Sequence, residues 1–249
     1  MTRKSRVRAS NRPYIWLSGA GLIALVVWGI ASEADAQTVA EPANPSIAWN
    51  VAVGSDYVFR GVSQTEEDAA ISGGVDLTSG SFYAGAWVSN VAFPRDPDTN
   101  AEMDVYAGLR PEFAGWVWDF GAVGYFYTGQ PDGADYDYVE AKVAASRAIG
   151  PATVGAAVYW SPDFFGAAED EATYVEATAS FSPADRWTVS GAIGRQFLSS
   201  DFDYTTWNLG VARQLTDKLA LDVRYHDTDE HDFGDIYGSR AVASLKAAF

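Results

Sequence analysis

The sequence predicts an all-β chain that folds as a transmembrane antiparallel up-and-down β-barrel, most readily with twelve strands. Three observations predict this class. Apolar and polar residues alternate along many short segments, as they do on a strand with two different faces. Short and long connections alternate between those segments, as in outer-membrane barrels. The chain also begins with the pattern of an export signal.

The amino terminus resembles a secretory signal peptide. A cation-rich segment (3–12) precedes an apolar run (14–30) and a small-residue cleavage site that ends at Ala36. The alternative is a retained anchor helix, but the apolar run is at the short limit for crossing a bilayer. We predict three parts: a signal peptide at 1–36, a flexible periplasmic leader at 37–45 and an outer-membrane barrel at 46–249.

Composition narrows the function classes. The formal net charge is −16, which disfavours nucleic acid because its phosphates would be repelled. The chain has no cysteine, so an exported protein of this sequence must be stabilised without disulfides, and a closed barrel provides this through backbone hydrogen bonds. No cofactor is expected.

Twelve segments have strand character. Their connections interleave strictly, short with long, and both chain ends fall on the side of the short turns. A soluble β-sandwich has the same alternation of side chains but no reason for this asymmetry of loops. The predicted strands lie at 46–59, 69–78, 82–91, 101–110, 116–127, 137–148, 152–161, 172–182, 187–197, 204–214, 218–227 and 237–249.

Charged residues share one face of several strands. Leu221 and Val223 alternate with Asp222 and Arg224, and the last strand ends in an alternating run that reaches Phe249. A lysine or arginine facing mid-bilayer lipid costs about 2–4 kcal/mol, so the charged faces are expected to line the lumen. The register of 82–91 is ambiguous, and Arg195 has the parity of a lipid-facing residue unless it lies near the headgroups or follows a bulge. The predicted lumen residues are Asp56, Arg60, Asp76, Glu102, Asp104, Arg110, Asp119, Glu140, Lys142, Glu176, Asp222, Arg224, Arg240 and Lys246.

Aromatic residues near strand ends are predicted to form the two interfacial girdles of a membrane barrel. The alternative is that they are core residues of a soluble sandwich. The predicted girdle residues are Trp49, Tyr57, Trp87, Trp116, Trp160, Trp187, Trp207 and Tyr237.

The mature chain resembles the TorF-type porins, a family of proteobacterial outer-membrane proteins of largely unestablished function. The resemblance is carried by 55–65 (SDYVFRGVSQT), 81–91 (SFYAGAWVSNV), 102–109 (EMDVYAGL), 118–129 (WDFGAVGYFYTG) and 158–165 (VYWSPDFF). Its most specific element is the run from Arg60 to Thr65. The resemblance implies a barrel with a pore and no assigned catalytic residue.

Residues Asp56 and Arg60 are expected to point inward from the outer end of the first strand, with Tyr57 facing lipid. They could orient a solute or narrow a channel. They could equally pair with each other or with a neighbouring strand to hold the first loop, and the pairing of mixed charges in small barrels favours this structural role.

Acidic residues dominate the long loops, and their negative potential would concentrate cations at the mouth. The same surface could instead bridge to lipopolysaccharide through divalent ions. Segment 96–100 begins like a calcium loop, but Ala101 and Ala107 occupy positions that need glycine and glutamate. The predicted acidic rim consists of Glu66, Glu67, Asp68, Asp229, Glu230, Asp232 and Asp235.

Catalysis is the weakest of the functions considered. His226 and His231, beside acidic residues of the last long loop, are the only imidazoles, and 61–65 lacks the final glycine of a nucleophile elbow. The sequence therefore favours a weakly cation-selective channel for small solutes, with a plugged structural or adhesive barrel as the alternative. The expected partners are membrane lipid, lipopolysaccharide, small solutes or cations, and the barrel-assembly machinery through the strand that ends at Phe249.

Overall fold

Twelve long strands close into one antiparallel barrel, as the sequence predicts. The computed structural model describes residues 45–166, 171–198 and 201–249. The long strands are β1 (Ser46–Gly54), β4 (Ala70–Ser79), β5 (Phe82–Asn90), β6 (Ala101–Leu109), β8 (Trp116–Thr128), β9 (Tyr138–Ile149), β10 (Ala152–Ser161), β11 (Ala172–Ala184), β12 (Trp187–Phe197), β13 (Tyr204–Gln214), β14 (Leu219–Thr228) and β15 (Arg240–Ala248). Consecutive long strands pair, and β1 pairs with β15 to close the wall.

Three short strands and two turns of 3-10 helix complete the described elements. The short strands are β2 (Val58–Phe59), β3 (Val62–Ser63) and β7 (Glu112–Phe113); the 3-10 turns are His231–Phe233 and Asp235–Tyr237. β2 and β3 pair only with each other, whereas β7 extends the short turn before β8. In the part of the chain that the structure describes, we find no helix with the length and apolarity to cross a membrane.

The outer surface of the barrel is apolar. On the seam between the first and last strands, Val51 and Val53 point outward and pair in register with Ala247 and Leu245. The outward residues of the other strands continue this surface, with Val105, Val143, Ile193 and Leu209 all exposed. A closed wall leaves no unpaired strand edge, which is the condition for crossing lipid with strands. Such a belt indicates a barrel embedded in a membrane.

The two ends of the barrel differ. Two-residue turns join β4 to β5, β9 to β10 and β11 to β12 at one end, where β1 starts and β15 finishes. Long connections join the strands at the opposite end. In outer-membrane barrels short turns face the periplasm, so we call these the inner and outer ends. The predicted signal peptide and most of the predicted leader lie outside the described residues.

The first predicted strand, 46–59, is wrong at its carboxyl end. β1 stops at Gly54, and the chain then turns into the lumen. Tyr57, predicted to face lipid, is consequently buried inside the barrel, 7% exposed.

Trp87 is also wrongly predicted as a girdle residue. It is 5% exposed and faces inward, because the ambiguous strand β5 places its odd-numbered side chains in the lumen. Trp49, by contrast, is 58% exposed on the outer surface, and Trp160, Trp187 and Trp207 point outward too. Tyr237 is also wrongly predicted as a girdle residue. It lies in a 3-10 turn of an outer loop and packs against Tyr204.

Arg195 lies on the outward face of β12, near its outer end. Its guanidinium is 3.7 Å from the Asp203 carboxylate and 4.0 Å from the Asp229 carboxylate. It also donates a hydrogen bond to Thr205 and lies over the Phe197 ring. Arg195 therefore has the lipid-facing parity that the sequence indicates, and acidic residues at the edge of the membrane neutralise its charge.

Candidate functional site: the barrel lumen

The segment 55–65 folds back into the barrel, and we call it the inward hairpin. β2 and β3 are joined by Arg60 and Gly61, both with positive φ (47° and 86°). Two successive left-handed residues are what a two-residue hairpin turn requires. A left-handed arginine costs about 1–2 kcal/mol, so the surrounding contacts must stabilise it.

Arg60 crosses the lumen to two strands of the wall. Its terminal nitrogens donate to both carboxylate oxygens of Glu140 on β9, at 2.7 and 2.8 Å, and to the Gln196 amide oxygen on β12 at 2.9 Å. The guanidinium also lies over the rings of Tyr174 and Tyr159. Arg60 is 6% exposed and Glu140 1%. A buried bidentate pair of this kind is strongly directional, so it fixes the tip of the inward hairpin.

Asp56 holds the base of the inward hairpin. One carboxylate oxygen accepts hydrogen bonds from the hydroxyls of Ser63 and Thr65, at 2.7 and 2.8 Å. The other oxygen is 3.3 Å from a guanidinium nitrogen of Arg240 on β15. The Arg240 guanidinium also lies 3.6 Å from Glu67 in the acidic rim. Asp56 and Arg60 therefore do not pair with each other; each pairs with another part of the chain.

The inward hairpin packs closely against one wall of the barrel. The Tyr57 hydroxyl donates to Glu102 at 2.8 Å, and its ring meets Trp87 edge-on at 5.2 Å between centroids. Phe59 packs edge-on against Tyr125, which is fully buried. Asp104 is buried next to Glu102 along β6. This wall, formed by β5, β6, β8 and β9, is aromatic and acidic.

The outer half of the lumen is closed to solvent along the described residues. Gly61 at the tip reaches the opposite wall, where an added Cβ would collide with Thr206 and Thr228. An outer group of phenylalanines and tyrosines, including Phe93 and Phe165, packs above Tyr127. The buried inward side chains of this half include Tyr125, Tyr127, Tyr138, Glu140, Ser161, Tyr174, Gln196, Tyr204, Thr206 and Thr228.

The inner half of the lumen is more open. Asp119 accepts bonds from Lys142 at 2.8 Å, Tyr83 at 2.7 Å and Arg110 at 3.1 Å. Arg224 pairs with Asp222 at 3.1 Å on the next wall. Partly solvent-exposed inward side chains of this half include Asp76, Thr78, Arg110, Ser146, Asp222, Arg224 and Lys246.

Two small cavities lie in the lumen, the inner one against β8–β11 and the outer one against β11–β14. The inner cavity, about 30 Å³, is bounded by Arg110, Asp119 and Lys142 among others. The outer cavity, about 50 Å³, lies beneath the inward hairpin and is bounded by Arg60, Asn208 and His226 among others. Both have room for water, which needs about 10–15 Å³. Glu176 of β11 lines both cavities.

The other predicted site residues occupy the loops. The rim residues are exposed, apart from Glu230, which is partly buried. Asp96 accepts two hydrogen bonds from Thr99 and one from the Asp98 amide, so its carboxylate organises its own turn. The Thr99 hydroxyl keeps the pKa of Asp96 below its ordinary value. Among the described residues no group of three or more His, Cys, Asp or Glu is arranged to hold a metal ion.

The two histidines are separated by the structure. His226 faces inward from β14 and lines the outer cavity, whereas His231 lies in a loop, with its Nε2 2.8 Å from Asp227. His231 is exposed and Asp227 partly buried. Thr206 and Thr228 hydrogen-bond to Asp227, but in the described part of the chain no serine or threonine hydroxyl hydrogen-bonds to the His231 ring. Sequence reasoning missed Gln196, Thr206 and Thr228 because their polar side chains carry no charge, so only their parity could have marked them.

The geometry can now be compared with known proteins. A model of a bacterial family of unknown function, Gcw_chp, matches residues 39–249. The chain belongs to that family. The match does not confirm the resemblance to TorF-type porins, and no curated protein matches the chain.

Solved structures share the fold at low sequence identity. The KdgM porin aligns with a TM-score of 0.56 and 8% identity over 82% of this chain and 98% of that one. The NanC porin gives 0.54 and 10% over 80% and 97%. The COG4313 outer membrane channel from Pseudomonas putida F1 gives 0.50 and 10% over 84% and 96%. The fold is therefore that of outer-membrane porins, and together with the apolar belt it indicates an outer-membrane location.

Proposed function

We propose that this protein is an outer-membrane channel for the passive passage of small solutes, with a weak preference for cations. The observation that carries the proposal is a closed barrel with an apolar exterior and a charged, partly hydrated interior. A wall of this kind serves no purpose for a water-soluble protein, and a polar lumen suits solutes that cannot enter lipid. We propose no catalytic role, since the Asp227–His231 pair lacks a placed nucleophile.

In this proposal the preference for cations comes first from the acidic residues of the outer loops. The acidic rim surrounds the outer mouth, and exposed acids there create a negative potential that reaches about 8 Å in physiological salt. Inside, acids and bases are more evenly matched, as in the Asp119–Lys142–Arg110 cluster. The rim therefore enriches cations before they enter the lumen.

Passage requires the inward hairpin to move at its tip. Gly61 meets Thr206 and Thr228 only through packing, whereas Arg60 is held by the Glu140 pair and Gln196. A shift of the tip away from β13 and β14 would join the outer cavity to the outer mouth. We assign the described conformation to the narrow state of the channel.

A plugged structural or adhesive barrel is the second candidate. The buried outer half of the lumen favours it, because a lumen that never opens would need the same packing. The two candidates differ in one measurable property, which is conductance.

The expected contacts outside the lumen follow from the same surface. Lipid covers the apolar belt, and divalent cations could bridge the rim to lipopolysaccharide. The alternating strand β15, which leads to Phe249, is suited to recognition by the barrel-assembly machinery. These contacts are part of the proposal.

Planar-bilayer recording on the folded, full-length mature protein tests the channel directly. We expect small unitary currents and a reversal potential of cation-selective sign under a salt gradient. Neutralising Asp229, Glu230, Asp232 and Asp235 to Asn or Gln should lower the cation preference without abolishing current. Neutralising Glu112 and Asp185, which are exposed at the inner end, is the matched control. The preference should also fade as rising salt screens the rim.

Absence of current from protein that is shown to be folded would contradict the channel and support the plugged barrel. An anion preference would instead contradict the assigned role of the rim.

A further inference from the structure

The two walls of the lumen leave different amounts of room beside the inward hairpin. On the β5–β9 side, Tyr57 and Phe59 pack against Trp87 and Tyr125 in one buried cluster. Close-packed aromatic rings of this kind exclude water. A solute could pass on that side only if a large part of the core moved.

The opposite wall has smaller side chains. Ala192, Gly194, Thr206 and Asn208 face inward from β12 and β13, and the outer cavity lies between them and the inward hairpin. At the tip, Arg60 reaches this wall through its hydrogen bond to Gln196, whereas Gly61, which has no side chain, lies against Thr206 and Thr228. A small displacement therefore creates space here, next to a cavity that already exists.

Glu176 is the residue shared by the linings of the two cavities. Its neighbours across the strand pairs are Ala157 and Gly194, so small residues flank it on both sides. Tyr174 donates a long hydrogen bond to it, 3.4 Å. Among the residues that the structure describes, no cation forms an ion pair with Glu176. Lys142 instead pairs with Asp119 at 2.8 Å, and Arg60 pairs with Glu140 at 2.7 Å.

We propose that solutes cross the barrel from the outer cavity, beside β11–β14, to the inner cavity, beside β8–β11, and that Glu176, which lines both, is the luminal residue that favours cations. The proposal rests on the channel function proposed above. A carboxylate that is flanked by small residues and lines two cavities large enough for water attracts a passing cation and repels an anion. The rim and Glu176 then act in series, the first at the mouth and the second inside the lumen.

The first test measures reversal potentials for Glu176→Gln. Two unit charges 4 Å apart in water interact strongly enough to change an equilibrium about fivefold, so we expect the cation-to-anion permeability ratio to fall by about that factor. Glu176→Asp keeps the charge and should keep the ratio. Glu112→Gln removes an exposed acid at the inner end and is the matched control. A ratio unchanged in Glu176→Gln, in a channel that conducts, would overturn the role of Glu176.

The second test locates the path. Because the chain has no cysteine, single cysteines can be modified specifically. A charged, water-soluble thiol reagent should reduce the current through Ala192→Cys, on the proposed path, and leave Ser89→Cys, buried on the opposite wall, unaffected. The reverse pattern would overturn the path while leaving the channel function intact. If the wild-type protein carries no current, both proposals are overturned together.

Discussion

The outer and inner halves of the lumen differ in how much solvent reaches some of their ion pairs, although Asp119 and Lys142 in the inner half are buried too. In the outer half Arg60 and Glu140 are almost fully buried and each has its partner within 3 Å. In the inner half Arg110 and Asp222 retain contact with solvent, although they too have partners. Buried charges need complete pairing because desolvation costs several kcal/mol per ion. Charges that remain in contact with water do not need complete pairing, and their ion pairs contribute little to the stability of the fold.

The comparison indicates what each half does. The buried Arg60–Glu140 pair and the packed aromatic rings fix the inward hairpin in one position. A hydrated interior leaves its side chains able to exchange partners with a solute. The halves can therefore be tested against each other with the same substitution in each.

The largest expected effect comes from removing one arginine from each half. Arg60→Ala leaves Glu140 as a buried charge without its bidentate partner, and we expect the free energy of unfolding to fall by about 3–5 kcal/mol. Arg110→Ala should cost much less, since Asp119 keeps Lys142 and the site is partly hydrated. Urea unfolding followed by the gel shift of the folded barrel measures both. Equal losses would mean that the two halves are equally hydrated.

A second prediction concerns the outer surface of the barrel wall, where the two halves do not differ because both are apolar. Val223 points outward in the middle of β14, whereas Ser244, on the neighbouring strand β15, points inward. Val223→Lys should destabilise the barrel by about 2–4 kcal/mol, and Ser244→Lys should be tolerated because its ammonium remains in the lumen. Insertion and unfolding in lipid vesicles provide the measurement. Tolerance of both would contradict the assigned lipid-facing surface.

A third prediction compares two glycines that both have a positive φ, 86° at Gly61 and 59° at Gly80. Gly61→Ala and Gly80→Ala both place a Cβ at positive φ, but only the first meets neighbouring atoms, those of Thr206 and Thr228. The added crowding should cost Gly61→Ala about 1–3 kcal/mol more than Gly80→Ala. It should also change the unitary conductance, because the tip must move away from β13. Identical stability and conductance in the two variants would contradict a tightly fitted tip.

The smallest expected effect lies in an outer loop. Thr99→Val removes the hydroxyl that lowers the pKa of Asp96, so that pKa should rise towards its ordinary value. A lowered pKa stabilises the folded loop above the unfolded pKa, and this contribution is lost as pH falls through the folded pKa. Carboxyl-carbon NMR of the refolded barrel follows the titration, with Thr216→Val at the inner end as the control. An unchanged titration would show that Thr99 does not set the pKa of Asp96.

Much of the barrel was predictable because each strand carries its own evidence. Alternation identifies a strand from its own residues, and turns such as Ser79–Gly80 mark where it ends, so the number of strands and most bounds agree with the structure. Asp222 and Arg224 were placed inward by parity alone, and the structure agrees. Both signals are local, and a closed antiparallel wall is built from local neighbours.

The inward hairpin was not predictable in the same way. Segment 46–59 continues to alternate after Gly54, so parity assigned Tyr57 to lipid, whereas the chain leaves the wall there. The one local signal was Arg60-Gly61 between Val58-Phe59 and Val62-Ser63, a turn pair flanked by β-forming residues. Its position in the lumen depends on Glu140 and Gln196, whose contact with Arg60 no short-range pattern encodes.

The partners of the inward hairpin also set the order in which the barrel assembles. Arg60 lies 80 residues from Glu140 and 136 from Gln196 along the chain. Contacts between residues so distant in sequence form late, because the entropy of closing the intervening chain must be lost first. The hairpin precedes both partners in the chain, and its full set of contacts requires β9 and β12 to be in the sheet. The lumen is therefore filled only in the last stages of folding, after most of the wall already exists.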